Sequence, residues 1–306
     1  MMSKRLDPSL LALLRDPRTR ASLVLEADTE DAAGVISGVL VEPRSGRRYP
    51  IRGGIPRFLA ADDDHRERGV DYARADPSAR WKNAVRRHPR LTRLLQWLFD
   101  PAHVSHRRRD RLLADLPPGA LVLNLGAGVK RLPGVRSINL DLDEYGHVDL
   151  IADGQGLPLA DGGFDGVVME YVIEHVPDPR ALLGEACRVL KAGGFLYLTV
   201  PFMQSYHGNP GDYYRFTRQG LEHYLSDYVE PVLCRPFGGP ASALVNMVKE
   251  FLAVLLCCNS PVLHALLAQL LIIPLFPLKY LDLILVHLQP AHGMAFSLQF
   301  IGRKPG

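Results

Sequence analysis

The run Leu121-Val122-Leu123-Asn124-Leu125, followed by Gly126-Ala127-Gly128, reads as a buried strand entering a glycine turn. Glycine suits that turn because the backbone must bend sharply and approach a ligand with no Cβ between them. Taken alone, the pattern is equally that of a plain tight turn. Ile138-Asn139-Leu140-Asp141 then sets a carboxylate at the end of the next strand, beside the crevice where parallel sheets bind ligands. A carboxylate there can accept two hydrogen bonds from a ribose diol. Asp143 competes for that role, and Asp141 can also be read as a helix cap or turn residue. Asp153, before Gly154, closes a third strand over Val148 to Ala152. It can accept the exocyclic amine of an adenine, with Leu157 as an apolar wall.

These residues need a sheet to hold them. Strand composition recurs over Leu121–Leu125, Ser137–Leu140, Phe164–Met169 and Phe195–Val200. Arg180 to Leu190 has the spacing of an amphipathic helix, with Lys191-Ala192-Gly193-Gly194 as its C-cap signal. Strands alternating with helices predict an α/β fold, a mostly parallel sheet covered on both faces. Five regions follow: a small β-rich unit over 1–61, a linker and basic helical segment over 62–111, the core over 112–240, an apolar helical insertion over 241–290, and a final strand with its tail over 291–306. Leu91, Leu94, Leu95 and Leu98 recur at helical spacing in the second of these.

The chain has 306 residues, 47% of them hydrophobic and 23% charged, which fits a folded globular protein rather than a disordered one. Its net charge of +3 is too small to imply nucleic acid. The four cysteines, Cys187, Cys234, Cys257 and Cys258, lack metal-ligand spacing, so no metal and a reduced, cytoplasmic setting are expected. Met1 to Arg20 is broken by charges and prolines and does not read as a signal peptide.

Four motifs in order carry a family resemblance: Ala152-Asp153-Gly154-Gln155-Gly156-Leu157-Pro158-Leu159; Phe164-Asp165; Glu174-His175-Val176-Pro177-Asp178-Pro179; and Arg188-Val189-Leu190-Lys191-Ala192-Gly193-Gly194. Over about Leu121 to Pro201 the chain resembles class I S-adenosylmethionine (SAM)-dependent methyltransferases, most of all the branch with ubiquinone-biosynthesis enzymes. The resemblance implies a Rossmann-like sheet of seven strands and SAM as cofactor. It implies Asn124, Gly126, Ala127 and Gly128 beside the methionine moiety, Asp141 and Leu142 at the ribose, and Asp153, Gly154 and Leu157 around adenine. Glu170, Tyr171 and His175 would form the wall after the fourth strand. Asn124 stands where the family usually has an acid, and Lys130 where a third glycine is common. Gly128 to Ile138 is too short for the usual helix, so loop backbone is expected to hold more of the cofactor.

Methyl transfer from a sulfonium chiefly needs the nucleophile placed in line, with a base where the acceptor must lose a proton. In the related enzymes the acceptor faces the end of the fifth strand, here Pro201-Phe202, His207 and Asp212-Tyr213-Tyr214-Arg215-Phe216-Thr217. His207 or His175 is the candidate base; Tyr213, Tyr214 and Arg215 are candidates for positioning the acceptor. The plainer reading gives the histidines structural hydrogen bonds and the tyrosines packing roles. The expected activity is methylation of an O or N atom on a small-molecule or lipid-linked acceptor. A non-catalytic SAM-binding scaffold is the alternative. An RNA methyltransferase ranks lower, because Met169-Glu170-Tyr171-Val172 replaces the Asn/Asp-Pro-Pro-Tyr/Phe loop of amine-methylating enzymes. A nicotinamide-dependent enzyme fits only the glycine turn.

Asp16-Pro17 and Leu40 to Pro56 are similar to the small zinc-ribbon domain that accompanies some methyltransferases. Its ligand positions here carry Asp16, Thr19, Glu42 and Ser45, which predicts a metal-free ribbon. Between Glu250 and Lys279 no Asp, Glu, Lys or Arg occurs, but Asn259-Ser260-Pro261, Pro274 and Pro277 interrupt the run. That favours an interfacial helical hairpin over a spanning helix, with an apolar lid or dimer face as the soluble alternative. Arg80 to Arg111, with Trp81, Trp97 and only Asp100 and Asp110 as acids, would suit an anionic membrane surface or an ordinary solvated helix face. Peripheral contact with the inner face of a membrane is the expectation drawn from the two segments.

Overall fold

The computed structural model describes residues 4–32, 34–59, 100, 102–208 and 211–306. The leucine repeat over 91–98 and both tryptophans lie outside the described residues.

The core is a seven-stranded sheet built from β5 (Leu121–Leu125), β6 (Arg136–Asp141), β7 (Leu150–Ile151), β8 (Phe164–Glu170), β9 (Leu190–Pro201), β10 (Glu230–Gly238) and β11 (Ser297–Arg303). Their spatial order is β10-β11-β9-β8-β5-β6-β7. Every pair from β9 to β7 is parallel, and β11 runs antiparallel between β9 and β10. This is the Rossmann-like α/β sheet the sequence predicts. The chain reverses direction across the sheet between β5 and β8, so a crevice opens at their C-terminal ends.

Side chains alternate across the strands. Leu123, Leu125, Val167, Met169, Leu196 and Leu198 face one core, and Val122, Val168 and Tyr197 face the other. The larger core packs against helix α1 (Pro8–Leu13) and the helix over Pro179–Val189; the smaller packs against α2 (Arg107–Ala114). The Pro179–Val189 helix is α3, opened by Asp178, whose carboxylate accepts the N–H groups of Arg180 and Ala181. Its end differs from expectation. Lys191 to Gly194 do not cap the helix but already belong to β9. Gly193, at φ +73°, absorbs a register shift, and its N–H pairs with the Lys304 carbonyl. Of the strand expected over Val148 to Ala152, only Leu150 and Ile151 pair with β6. Between β5 and β6 the chain is a loop, short as its length required.

The N-terminal unit is an antiparallel sheet of β1 (Val24–Asp31), β2 (Gly34–Val41), β3 (Arg48–Arg52) and β4 (Ile55–Pro56). It shares the larger core through Leu40 and Ile51. Of the positions expected at a ribbon's ligand site, Asp16 bonds to Thr19 and Glu42 to Ser45, and Arg47 lies between the two acids. Asp16 is fully buried and accepts from the Arg18 and Thr19 N–H groups, the Thr19 hydroxyl, Tyr49 and, twice, Arg47. Burial pushes its pKa up, but these donors, Arg47 foremost, hold it far below the usual carboxylate range. Glu42 accepts from Arg44, the Ser45 N–H and the Ser45 hydroxyl.

After β10, α5 (Pro240–Leu256) and α6 (Pro261–Leu275) form a hairpin; α4 (Arg218–Leu225) precedes β10, and α7 is the single turn Asp282–Leu285. Cys258 and Asn259 take positive φ at the bend, and Ser260 caps α6. Asp282, buried, accepts from the N–H groups of Gly239, Ala241 and Ser242 and from the Ser242 hydroxyl, tying down the start of α5. The far end of the hairpin is bare: Phe251, Val254 and Leu255 on α5 and Leu266 and Leu270 on α6 are exposed. Residues Pro261–Leu285 are long and apolar enough to cross a membrane, by length and composition.

Candidate functional site

The glycine elbow follows β5 directly. Gly126 and Gly128 take φ of +69° and +53°, the left-handed region where glycine carries no steric cost. A Cβ on Gly126 would stand 2.4 Å from Val172, whereas one on Gly128 would meet nothing within 4 Å. The first glycine is therefore a packing requirement, and the second borders open space. The N–H groups of Gly126 and Ala127 bond to the Leu140 carbonyl at 2.9 and 3.0 Å, and the Gly128 N–H bonds to Asp141 Oδ2 at 2.7 Å. Asp141 also accepts from the Asp143 N–H, and the Leu142 N–H supports it. Burial raises the Asp141 pKa despite these donors. Each of its oxygens keeps a lone pair. Asn124, near the end of β5, borders the cleft. Its amide bonds to Lys130 O and Asn139 Oδ1, bracing the loop from beneath.

The cleft is lined by Gly126 to Lys130, Arg109, Tyr145, Glu170 and Tyr171. Glu170, nearly buried, pairs with Arg109 at 2.9 Å, His106 at 3.0 Å and Lys130 at 3.6 Å. Burial would raise its pKa; the His106 hydrogen bond and the charges of His106, Lys130 and Arg109 overcome that and bring it to about 2. Sequence reasoning missed Arg109 and His106, because both sit in a run of basic residues that reads as a surface. Arg109 is only 8% exposed and belongs to the cleft. Next in chain, Tyr171 holds φ +57° and bonds to Ser297. A non-glycine residue in that region is strained, a trait that gathers at functional sites.

Asp153, expected from the sequence beside adenine, caps the turn Gly154–Gly156 through the Gln155 N–H. Gly154 is needed where it stands, since a Cβ would lie 2.6 Å from Leu182. Leu157 differs from expectation: it is fully buried in the larger core, and its backbone is held by Glu185, Arg20 and Arg188. It lends the cleft wall support from behind rather than surface.

The loops after β8 and β9 meet at the Tyr213 N–H, which bonds to Glu174 O at 2.7 Å. Glu174 is fully buried, and neither carboxylate oxygen has a hydrogen-bond partner among the described residues. His207 Nε2 lies 3.7 Å and His175 Nε2 3.9 Å from Glu174 Oε1, with the two rings edge to face at 5.2 Å. The structure thus brings both candidate bases together on one acid. The other positioning candidates divide. Tyr213 is exposed, Tyr214 bonds to Pro177 O and stacks on Phe216, and Arg215 is spent on Gln204 O, Ser205 O and Asp212. Arg215 latches the loop. Burial pushes Asp212 up, but the Arg215 hydrogen bond, the His207 N–H and the neighbouring charges together outweigh it, so its pKa falls.

Residues 135–198 match a family model described as a methyltransferase domain. The match begins just past the glycine loop and covers β6 to most of β9. Over 104 residues the chain is 36% identical to the demethylmenaquinone methyltransferase of Corynebacterium efficiens, covering 29% of this chain and 45% of that protein. An uncharacterized methyltransferase of Mycobacterium sp. (strain JLS) is 38% identical over 74 residues, covering 24% of this chain and 27% of its own. The chain spans less than half the length of these relatives. Among solved structures, phosphoethanolamine N-methyltransferase 2 of Haemonchus contortus with SAM is similar over 85% of this chain and 62% of its own, at 13% identity and a TM-score of 0.47.

Proposed function

We propose that this chain, which carries a class I SAM-dependent methyltransferase domain, moves the methyl group of SAM to an O or N atom of a lipid-linked acceptor. The observation that supports the donor half best is the cleft itself. Gly128 leaves room for a ligand, Asp141 keeps lone pairs for a ribose diol, and Arg109, Lys130 and Glu170 supply both signs of charge for a zwitterion. These residues fit SAM: Arg109 and Lys130 toward its carboxylate, Glu170 toward its ammonium, Asp141 toward the ribose. Bound SAM would supply an electrophilic methyl on an excellent leaving group. What remains for the protein is to fix the acceptor in line and take its proton. The proton is assigned to the Glu174–His175–His207 cluster, with His207 as the residue on which transfer depends.

A lipid-linked acceptor is favoured by how the hairpin is attached. Asn246 of α5, buried, exchanges hydrogen bonds with Ser205, two residues before His207. The apolar hairpin and the acceptor loop are thus one assembly. Near its base Arg235 bonds to His287 and feels the charge of Arg108, while Arg218 is paired with Glu222. An apolar tip with a basic base complements an anionic bilayer surface.

Calorimetry with SAM and its demethylated product tests the donor half; a folded chain that binds neither removes the proposal. Flotation with vesicles containing anionic lipid tests the hairpin, and Phe251→Asp with Leu255→Asp should abolish co-flotation. Radiolabelled transfer to membrane-lipid extracts tests the acceptor. SAM binding with no transfer to any extract would favour the scaffold reading.

A further inference from the structure

We infer that Glu174, His175 and His207 form a binding site for one divalent transition-metal cation, of the two-histidine, one-carboxylate kind that suits Zn²⁺. Burying a carboxylate with neither oxygen hydrogen-bonded costs several kcal/mol unless a cation or proton compensates it. Glu174 is in that position, with 0% of its surface exposed. Arg215, in the same loop, is committed to Asp212 and backbone carbonyls, and Lys130 and Arg109 of the cleft pair with Glu170.

Both imidazoles are set up as ligands. The Nδ1 of His175 bonds to the Gly211 carbonyl. That of His207 has two acceptors, Ser205 O at 3.2 Å and Asp212 Oδ2 at 3.4 Å, against one donor, Arg215 at 3.3 Å. In each ring the proton belongs on Nδ1, so the Nε2 lone pair is left over, and both Nε2 atoms point at the same carboxylate. Metal-ligating histidines are oriented in this way, the far nitrogen donating to a carbonyl or carboxylate. The Nε2 of His207 is itself buried and unpartnered.

The spacings discriminate further. At 3.7 and 3.9 Å the Nε2–Oε1 separations are too long for hydrogen bonds. Metal–ligand bonds of about 2.0–2.1 Å put tetrahedral neighbours roughly 3.3 Å apart, so a contraction of about half an ångström brings each Nε2–Oε1 distance into range. All three ligand atoms lie within 4.8 Å of one another. Three protein ligands leave a coordination position open, and Tyr213, whose N–H bonds to the Glu174 carbonyl, is exposed at this loop. An oxygen bound there would lose its proton more readily, to solvent, and with the metal in place His207 would act as its ligand rather than as the base. The inference does not rest on methyl transfer and stands even if SAM does not bind.

The test uses the full chain, stripped with chelator, and Zn²⁺ alone. Calorimetry should show one equivalent bound, Zn²⁺ should raise the melting temperature, and Co²⁺ in its place should give the visible bands of a four- or five-coordinate nitrogen–oxygen site. Glu174→Gln, His175→Ala and His207→Ala should each weaken Zn²⁺ binding by on the order of 100-fold or more. Cobalt bands of thiolate character would assign the metal to the cysteines and overturn the inference, as would unchanged affinity in folded variants. Should a variant fail to fold, the wild-type measurement decides: less than one equivalent of Zn²⁺, or no cobalt spectrum, rejects the site.

Discussion

Asp16 and Glu174 are both fully buried acids, and their surroundings are opposite. Asp16 occupies a position where the ribbon resemblance leads one to expect a ligand, and six hydrogen bonds from four residues close around it. Arg47 takes the place of a cation, and Tyr49, with its pKa pushed up to about 12 by burial and then by Asp16, stays a neutral donor. Glu174 has two histidine nitrogens within 4 Å and no hydrogen-bonded partner among the described residues. A satisfied buried network specifies structure, while an unsatisfied one stores a demand for a ligand. One region of the chain satisfies its buried acid with side chains, and the other sets two histidines beside a buried acid that has no hydrogen-bond partner among the described residues.

The sharpest way to break this contrast is Arg47→Ala. Leaving Asp16 buried without its cation should lower the melting temperature by roughly 5–10 °C, with SAM affinity and turnover per folded molecule unchanged. Unaltered melting would show that Asp16 is not held as described. Acid titration probes an intermediate case, the cleft acid Glu170. Its folded pKa of about 2 lies below its unfolded value of 4.5, so its contribution, about 3 kcal/mol, is complete above pH 4.5 and fades as pH falls toward 2. Denaturation curves for Glu170→Gln should lack that part of the acid dependence. His207→Ala and His207→Asn should reduce turnover about 100-fold while SAM affinity stays within error; a normal rate removes His207 from the chemistry. The smallest effect is also the most telling: Glu174→Gln should leave stability without metal equal or up to about 1 kcal/mol higher, because it deletes a charge that nothing nearby satisfies. A large loss of stability would mean Glu174 is structural, like Asp16.

The two regions were not equally legible. Gly126, Gly128 and Asp141 could be read from the sequence because each occupies a strand end, where residue type and position together state the requirement. Asp16, Thr19, Glu42 and Ser45 could be placed together only through a resemblance, and the bonds among them came from the fold. Arg109 was hidden by its neighbours: a guanidinium amid Arg107, Arg108 and Arg111 gives no sign of which one turns inward. Leu157 misled because an apolar residue after Asp153 suits a ligand wall and a core equally. Lys191 to Gly194 misled because glycines after a helix signal a cap, while here the strand starts at once and Gly193 serves its register. The isolation of Glu174 depends on what two distant loops fail to offer it, and no local pattern records that.

The placement of β11 between β9 and β10 bears on how the molecule is made. As the ribosome releases the chain, β9 can join β8 early, but its other edge must wait for residues 297–303, about a hundred positions later. The apolar hairpin is synthesised during that wait. An open strand edge and a bare greasy segment therefore coexist on the nascent protein, the pairing that most invites aggregation. Early capture of the hairpin, by a chaperone or by lipid, would shield one hazard until the last strand arrives to remove the other.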